Sequence, residues 1–373
     1  MKRTQSYYVI FGIMTALFFI FLVVLNKSVE KTPLLANDGS SFEKAVVTSI
    51  IQDNIGEDGE RSGEQIVEVK ISSGSHKGET VEATSLDGYL YGATCKIGTK
   101  IIVNISEYEG TITANVYNYD RTGVIIAFVA LFIILLAIIG GKKGIYAAAS
   151  LIFDGICIIY LYLPLMYIGV QPFVAAILCC VLISVFTLIL IGGFTVKTFS
   201  ALIGTTAGCV CAGIIAFVFG YLMNINGYNV EEVETLILVE QNSKLQAGGI
   251  LFSGILIASL GAVMDVAMSI ASAISEIHHH SPQLSMKELI KSGIHVGRDM
   301  MGTDVNTLIL AFVGGSATLM VIYYAYDMPQ RQLTNSYFFG MEILQGLAGT
   351  FGVLIAVPAV SFVTAWLYKY KKK

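Results

Sequence analysis

Asp265 and Asp154 stand well inside apolar runs of the chain, and a carboxylate at such a place can bind a proton, a cation or a small polar solute. Reading from Gly254 in steps of three and four gives Gly254, Ala258, Gly261, Asp265, Ser269, Ser272 and Glu276, a spacing that puts all seven on one side of an α-helix. The opposite side reads Ile255, Leu256, Val263, Val266, Ile270 and Ile274. Lipid makes no demand for the first set, so the helix is expected to turn its carboxylate toward protein or water. Further along, Arg298, Asp299, Asp304, Asn306 and Thr307 crowd the entry to the apolar run 308–326.

Depth decides which of these groups can meet. Asp265 follows Gly249 by 16 residues, about 24 Å along a helix and so in the second half of a bilayer core about 30 Å thick. Asn306 and Thr307 open the next span from that same side. Asp154 lies roughly 14 Å into its own span, near the midplane. The candidate site is therefore a polar pocket of Asp265, Ser269, Asn306, Thr307 and Asp154, with Asp299 and Arg298 at its rim. The bland alternative is that each carboxylate is protonated or paired and only fixes helix packing. For Asp265 the functional reading is preferred, and for Asp154 the two weigh evenly. His278, His279 and His280 with His295 raise the question of a metal, but three consecutive His cannot all face one ion on a regular helix. Histidines at a helix C-terminus also suit its dipole. No cofactor is implied.

Gly261-Ala262-Val263-Met264-Asp265-Val266-Ala267, then Gly297-Arg298-Asp299-Met300-Met301-Gly302-Thr303 and Asn306-Thr307-Leu308-Ile309-Leu310-Ala311, resemble the YibE/F family of bacterial multi-pass membrane proteins. The resemblance runs from the segment after the first span to about the seventh membrane helix. It implies a membrane location and supplies no catalytic roles. Asp304 stands where that pattern has Met, so a role for it would not hold family-wide.

The elements that position these residues follow from composition. Of the 373 residues 55% are hydrophobic and 13% charged, against about 25% charged in soluble domains. A net charge of −4 argues against a nucleic-acid partner. Five of six Cys lie in apolar runs, which makes a disulfide framework unexpected. Residues 7–25 form an apolar run of spanning length with no small-x-small cleavage site after it, and are read as an uncleaved first helix. Residues 27–121 hold short alternating stretches at 45–51, 65–71, 100–105 and 111–116, separated by Asp58-Gly59, Ser73-Gly74, Asp87-Gly88 and Glu109-Gly110. About five short strands of this kind predict a small OB-like β-barrel. Residues 122–373 read as seven spans: 122–139, 145–168, 172–191, 199–223, 249–277, 305–326 and 347–368. The connection 278–303 holds a short helix, 286–292, whose Ser285 and Glu288 fit a capping box. Gly140-Gly141 and Gly192-Gly193 sit at equivalent turns and hint at a duplicated helix pair.

The expected fold is thus an α-helical polytopic membrane protein of about eight transmembrane helices, with a β-rich domain between helices 1 and 2. The basic residues Lys2, Arg3, Lys142, Lys143, Lys197, Lys287, Lys291, Arg298 and 371–373 fall on one side under that count. Both termini are then cytoplasmic and 27–121 extracytoplasmic, in a bacterial plasma membrane. The expected function is transport of an ion or small polar solute through a site between helices 3, 6 and 7. The alternative is a non-transporting subunit that docks a partner through the external domain. Partners are the bilayer, the solute, and a second copy or a related membrane subunit. Without H-E-x-x-H or G-x-S-x-G, an enzyme is not expected.

Overall fold

The computed structural model describes residues 2–29, 40–55, 61, 63–86, 88, 91–108, 111–230 and 232–370. The turn residues Asp58-Gly59, Asp87 and Glu109-Gly110, and the lysines 371–373, lie outside these. The chain divides into two compact units, residues 33–135, and residues 1–32 with 136–373.

In the smaller unit five strands, β1 (Ser40–Gln52), β2 (Gln65–Ile71), β3 (Thr80–Ser85), β4 (Lys100–Tyr108) and β5 (Thr111–Tyr119), close into a barrel in the order β1-β2-β3-β5-β4. Every pairing is antiparallel except β3 with β5, where Ala83 faces Ala114. The alternation seen in the sequence sends Val47, Val67, Val69, Ile71, Ile101, Val103 and Ile105 inward, each no more than 1% exposed. Buried Gln65 extends this core with polar groups: its amide nitrogen donates to the Cys95 carbonyl at 3.0 Å and its amide oxygen accepts from the Cys95 N–H at 2.8 Å. Gly74 takes φ 72° at the expected turn, and a Cβ there would collide with the buried Glu43 carboxylate. Asp120 accepts from the Thr122 N–H at 3.1 Å, and the Thr122 hydroxyl and amide hold its carboxyl below the usual carboxylate range.

The helices are α1 (Lys2–Lys27), α2 (Thr122–Cys157), α3 (Leu163–Tyr167), α4 (Pro172–Gly192), α5 (Val196–Leu222), α6 (Val233–Gln241), α7 (Ile250–His280), α8 (Met286–Gly315), α9 (Ala317–Ala325), α10 (Gln330–Thr334) and α11 (Tyr337–Tyr370). Among the described residues six helical stretches are long and apolar enough to cross a membrane, and α8 with α9, bent by 61°, make a seventh if the pair is one span. One of the six, Thr122–Tyr167, is 46 residues long, about 69 Å if straight and twice a bilayer core. It breaks at Gly141, whose φ of 56° and ψ of −134° are not helical, so the two spans expected there are its two arms. Gly193, in the corresponding Gly-Gly pair, also has positive φ, 67°. These are conformations open to glycine at little cost.

Besides the earlier start of α11, at Tyr337 rather than 347, two differences from the expectation concern helix continuity. Residues 293–304 are not a connection: α8 runs unbroken from the capping box, in which Ser285 Oγ accepts from the Glu288 N–H at 3.3 Å and Glu288 accepts from the Ser285 N–H at 2.7 Å. Glycine is a poor helix former, but Gly293 and Gly297 are buried against Ile274 and Ser361, and against Ile270 and Val357. Packing outweighs propensity there. Second, α2 gives way to a π-helical turn at Ile158–Tyr162, just before Pro164, which cannot donate the next helical hydrogen bond.

Candidate functional site

The two faces of α7 are as distinct in space as in sequence. Ile255, Leu256, Val263, Val266, Ile270 and Ile274 are all at most 2% exposed, packed toward α5, α8 and α11. Gly254, Ala258, Gly261, Asp265 and Glu276 are exposed, and Ser269 and Ser272 half-buried. A Cβ added to Gly254 or Gly261 would touch nothing within 4 Å. The greasy side therefore faces the protein and the carboxylate side faces out from the single chain, the reverse of an enclosed pocket. Elsewhere the surface is suited to lipid: Phe128, Ile138 and Ile139 on α2 are 73%, 72% and 85% exposed. On α7 none of the large apolar side chains is exposed, so this face is unlike its neighbours.

Asp265 makes no hydrogen bond or ion pair among the described residues. The charge beside it belongs to Asp304 of α8, near enough for the two carboxylates to repel. Asp304 follows Gly293 and Gly297 and precedes Leu308 at spacings of 4, 7 and 4, the side of α8 that packs inward. Its Oδ2 is buried and has no hydrogen-bond partner. Two carboxylates near enough to repel, one of them with an orphaned oxygen, could share a proton or a cation. The spacing of Asp304 with the two glycines and Leu308 was a signal of this partnership, but it is visible as such only once α8 is known to be continuous.

The other expected site residues are more dispersed. Asn306 is exposed and makes no hydrogen bond among the described residues. Thr307 Oγ1 donates to its own helix at the Thr303 carbonyl, 2.9 Å away. Arg298 and Asp299 are exposed on the outer side of α8. Asp154 belongs to a different neighbourhood, where Thr187 of α4 donates to its Oδ1 at 3.3 Å and the thiols of Cys157 and Cys179 lie close. The rings of Phe153 and Phe186 stack beside it at 3.7 Å. No contact joins Asp154 to Asp265 or to Asp304 among those the structure records.

His278, His279 and His280 form the last turn of α7 rather than a loop, with the His278 ring 4.9 Å from that of Tyr368 and His280 Nε2 4.0 Å from Glu276. Among the described residues no three His, Cys, Asp or Glu side chains converge on a metal-sized centre. Polar links that the sequence did not announce tie the body together: the Tyr162 hydroxyl with Ser253, and Ser275 with the Tyr368 hydroxyl at 2.7 Å.

No curated protein and no solved structure matches the chain. A family model described as YibE/F-like protein matches residues 128–370, starting within α2, past the barrel, and reaching the end of α11. Since that match takes in well over half of the sequence, including α7, α8 and both carboxylates of the pair, the chain belongs to the YibE/F-like family of membrane proteins.

Proposed function

We propose that the protein is a transporter or permease for a proton, a cation or a small polar solute, with Asp265 and Asp304 as its binding pair. The observation that carries this reading is that Asp265, on the small and polar face of α7, lies near enough to Asp304 of α8 to feel its charge, while the buried Asp304 Oδ2 has no hydrogen-bond partner. Membrane helices carry such groups where ions pass. The glycine and alanine positions above Asp265 leave room for water or solute beside the backbone, and Ser269, Asn306 and Thr307 supply hydroxyl and amide groups along the same pair of helices. Asp154 is a packing residue in this reading. Purified protein in liposomes, assayed for flux against a panel of cations and for proton-driven uptake, tests it. Flux that persists in Asp265→Asn at matched abundance would end it.

The orientation belongs to the same proposal: both termini in the cytoplasm of a bacterial cell, the barrel outside, because the basic residues segregate that way. A Cys at exposed Lys77 is expected to react with a membrane-impermeant thiol reagent on intact cells. Labelling only after lysis would reverse the orientation.

A second reading is a subunit that docks a partner through the barrel. It is favoured by an exposed aromatic group on the barrel wall, where the Phe42 and Tyr117 rings lie 5.1 Å apart and the Tyr91 ring 6.5 Å from Tyr117. Removing those rings (Phe42→Ser, Tyr117→Ser) would abolish function under this reading and leave flux untouched under the first.

A further inference from the structure

We infer that the outer side of the first half of α8 is a binding groove for the phosphate headgroup of an anionic phospholipid. Lys287, Lys291, His295 and Arg298 follow one another at spacings of 4, 4 and 3 and are all exposed, so they form one stripe. The stripe is opposite the buried Leu289, Gly293 and Gly297, which face α7 and α11. Together with Ile290 and Ile294 it lines a groove of about 600 Å³.

The positive charge of this stripe is not spent inside the protein. Lys287, Lys291 and Arg298 make no ion pair among the described residues. The nearest acid in sequence, Glu288, is committed to the Ser285 cap, and its carboxyl is held below the usual range by the Ser285 amide. Asp299, next to Arg298, is the one other acid in the segment 286–303.

The position of the groove relative to the bilayer follows from its neighbours. Trp366 and Tyr370 are exposed near the end of α11, and Lys369 Nζ donates to the Pro282 carbonyl at 3.0 Å in the turn before α8. Aromatic rings with a lysine at a helix end mark a membrane boundary. Lys287 adjoins Glu288, whose carboxyl feels the Lys369 charge, and so starts the stripe near that level. Gly293 meets Ser361, five residues before Trp366 along α11, or about 8 Å deeper. The stripe therefore starts at the headgroup layer, and Ile290 and Ile294, interleaved with its basic residues, give an apolar wall. A phosphate at the upper lysines with its chains along the isoleucines satisfies both halves of the groove. Free phosphate would use the first half alone.

The full-length protein, purified in mild detergent, is titrated with phosphatidylglycerol and with phosphatidylcholine of the same chains, and bound lipid is counted by native mass spectrometry. Phosphatidylglycerol is expected to bind at least about thirtyfold more tightly, at ~1 kcal/mol for each of the two lysines. The double variant Lys287→Gln/Lys291→Gln should lose about thirtyfold in that affinity, at ~1 kcal/mol per cationic side chain, with phosphatidylcholine unchanged. Lys287→Arg/Lys291→Arg should retain it, which separates lost charge from lost fold. Lys142→Gln/Lys143→Gln, a basic pair away from α8, should not alter it. Equal binding of the two lipids, an unchanged preference in the Gln variant, or an equal loss in the Lys142/Lys143 variant would overturn the proposal. So would displacement of the lipid by millimolar inorganic phosphate, which would make free phosphate the ligand. The Asp265–Asp304 pair takes no part in this experiment, so its outcome is independent of the transport reading.

Discussion

Asp154 and Asp265 sit in similar apolar sequence and in opposite surroundings. Asp154 has a hydroxyl donor from Thr187 on the neighbouring helix, stacked Phe rings beside it and thiols around it. It is a half-buried polar group whose needs are met by the fold. Asp265 has no donor, an exposed position, and a second carboxylate next to it. A membrane carboxylate that is satisfied locally can be structural, whereas one left unsatisfied beside a like charge calls for a mobile partner, a proton or a cation. This contrast is the ground on which the proposal takes Asp265 as the binding residue and Asp154 as a packing residue.

The sharpest way to break this comparison is to neutralise each acid in turn. Asp265→Asn is expected to abolish flux and Asp265→Glu to keep part of it. Asp154→Asn should retain most of it, because an Asn oxygen still accepts from Thr187. Equal loss in the two Asn variants, measured in liposomes at matched protein content, would erase the distinction.

Next in size are the glycines on either side of α7. Gly208 of α5 is enclosed: a Cβ there would lie 2.6 Å from Val263 Cγ1 and 2.7 Å from the Gly352 carbonyl. Gly208→Leu should therefore cost at least about 1–3 kcal/mol through overpacking, seen as a lower unfolding temperature in detergent. A smaller effect, about 1–3 kcal/mol at most, is expected of Thr187→Val, which leaves the Asp154 oxygen without its donor. A stability loss from Thr187→Val with unchanged flux would confirm Asp154 as structural.

The smallest expected effect is Gly261→Ala, within about 0.5 kcal/mol on the single chain, because the site is open. The same open face tests self-association. A Cys replacing exposed Ala258 should form a disulfide-linked dimer in membranes if a second copy covers it. Absence of any such dimer under oxidation would leave that face to water or to another subunit.

Much of this was legible in the residues. The three-and-four spacing from Gly254 to Glu276 determined that α7 has two unlike faces, and the alternation in 65–71 and 100–105 determined barrel strands with an apolar inside. Ser285 and Glu288 determined where α8 starts, and the Gly-Gly pairs where helices break. β3 was harder to read, since Thr80-Val81-Glu82-Ala83-Thr84-Ser85 buries only Ala83 and Ser85 completely, and polar residues mask its alternation. Tertiary structure alone decided that the greasy side of α7 faces inward, that α8 continues through Gly293 and Gly297, that Asp304 accompanies Asp265, and that Asp154 goes with Thr187. The reason is physical. Helical periodicity fixes the angle of each side chain about its own axis, but lipid and protein interior are equally apolar, so it cannot say which face meets which. That choice is made by close packing of small residues between helices, which depends on neighbours far away in sequence, as Gly208 with Gly352.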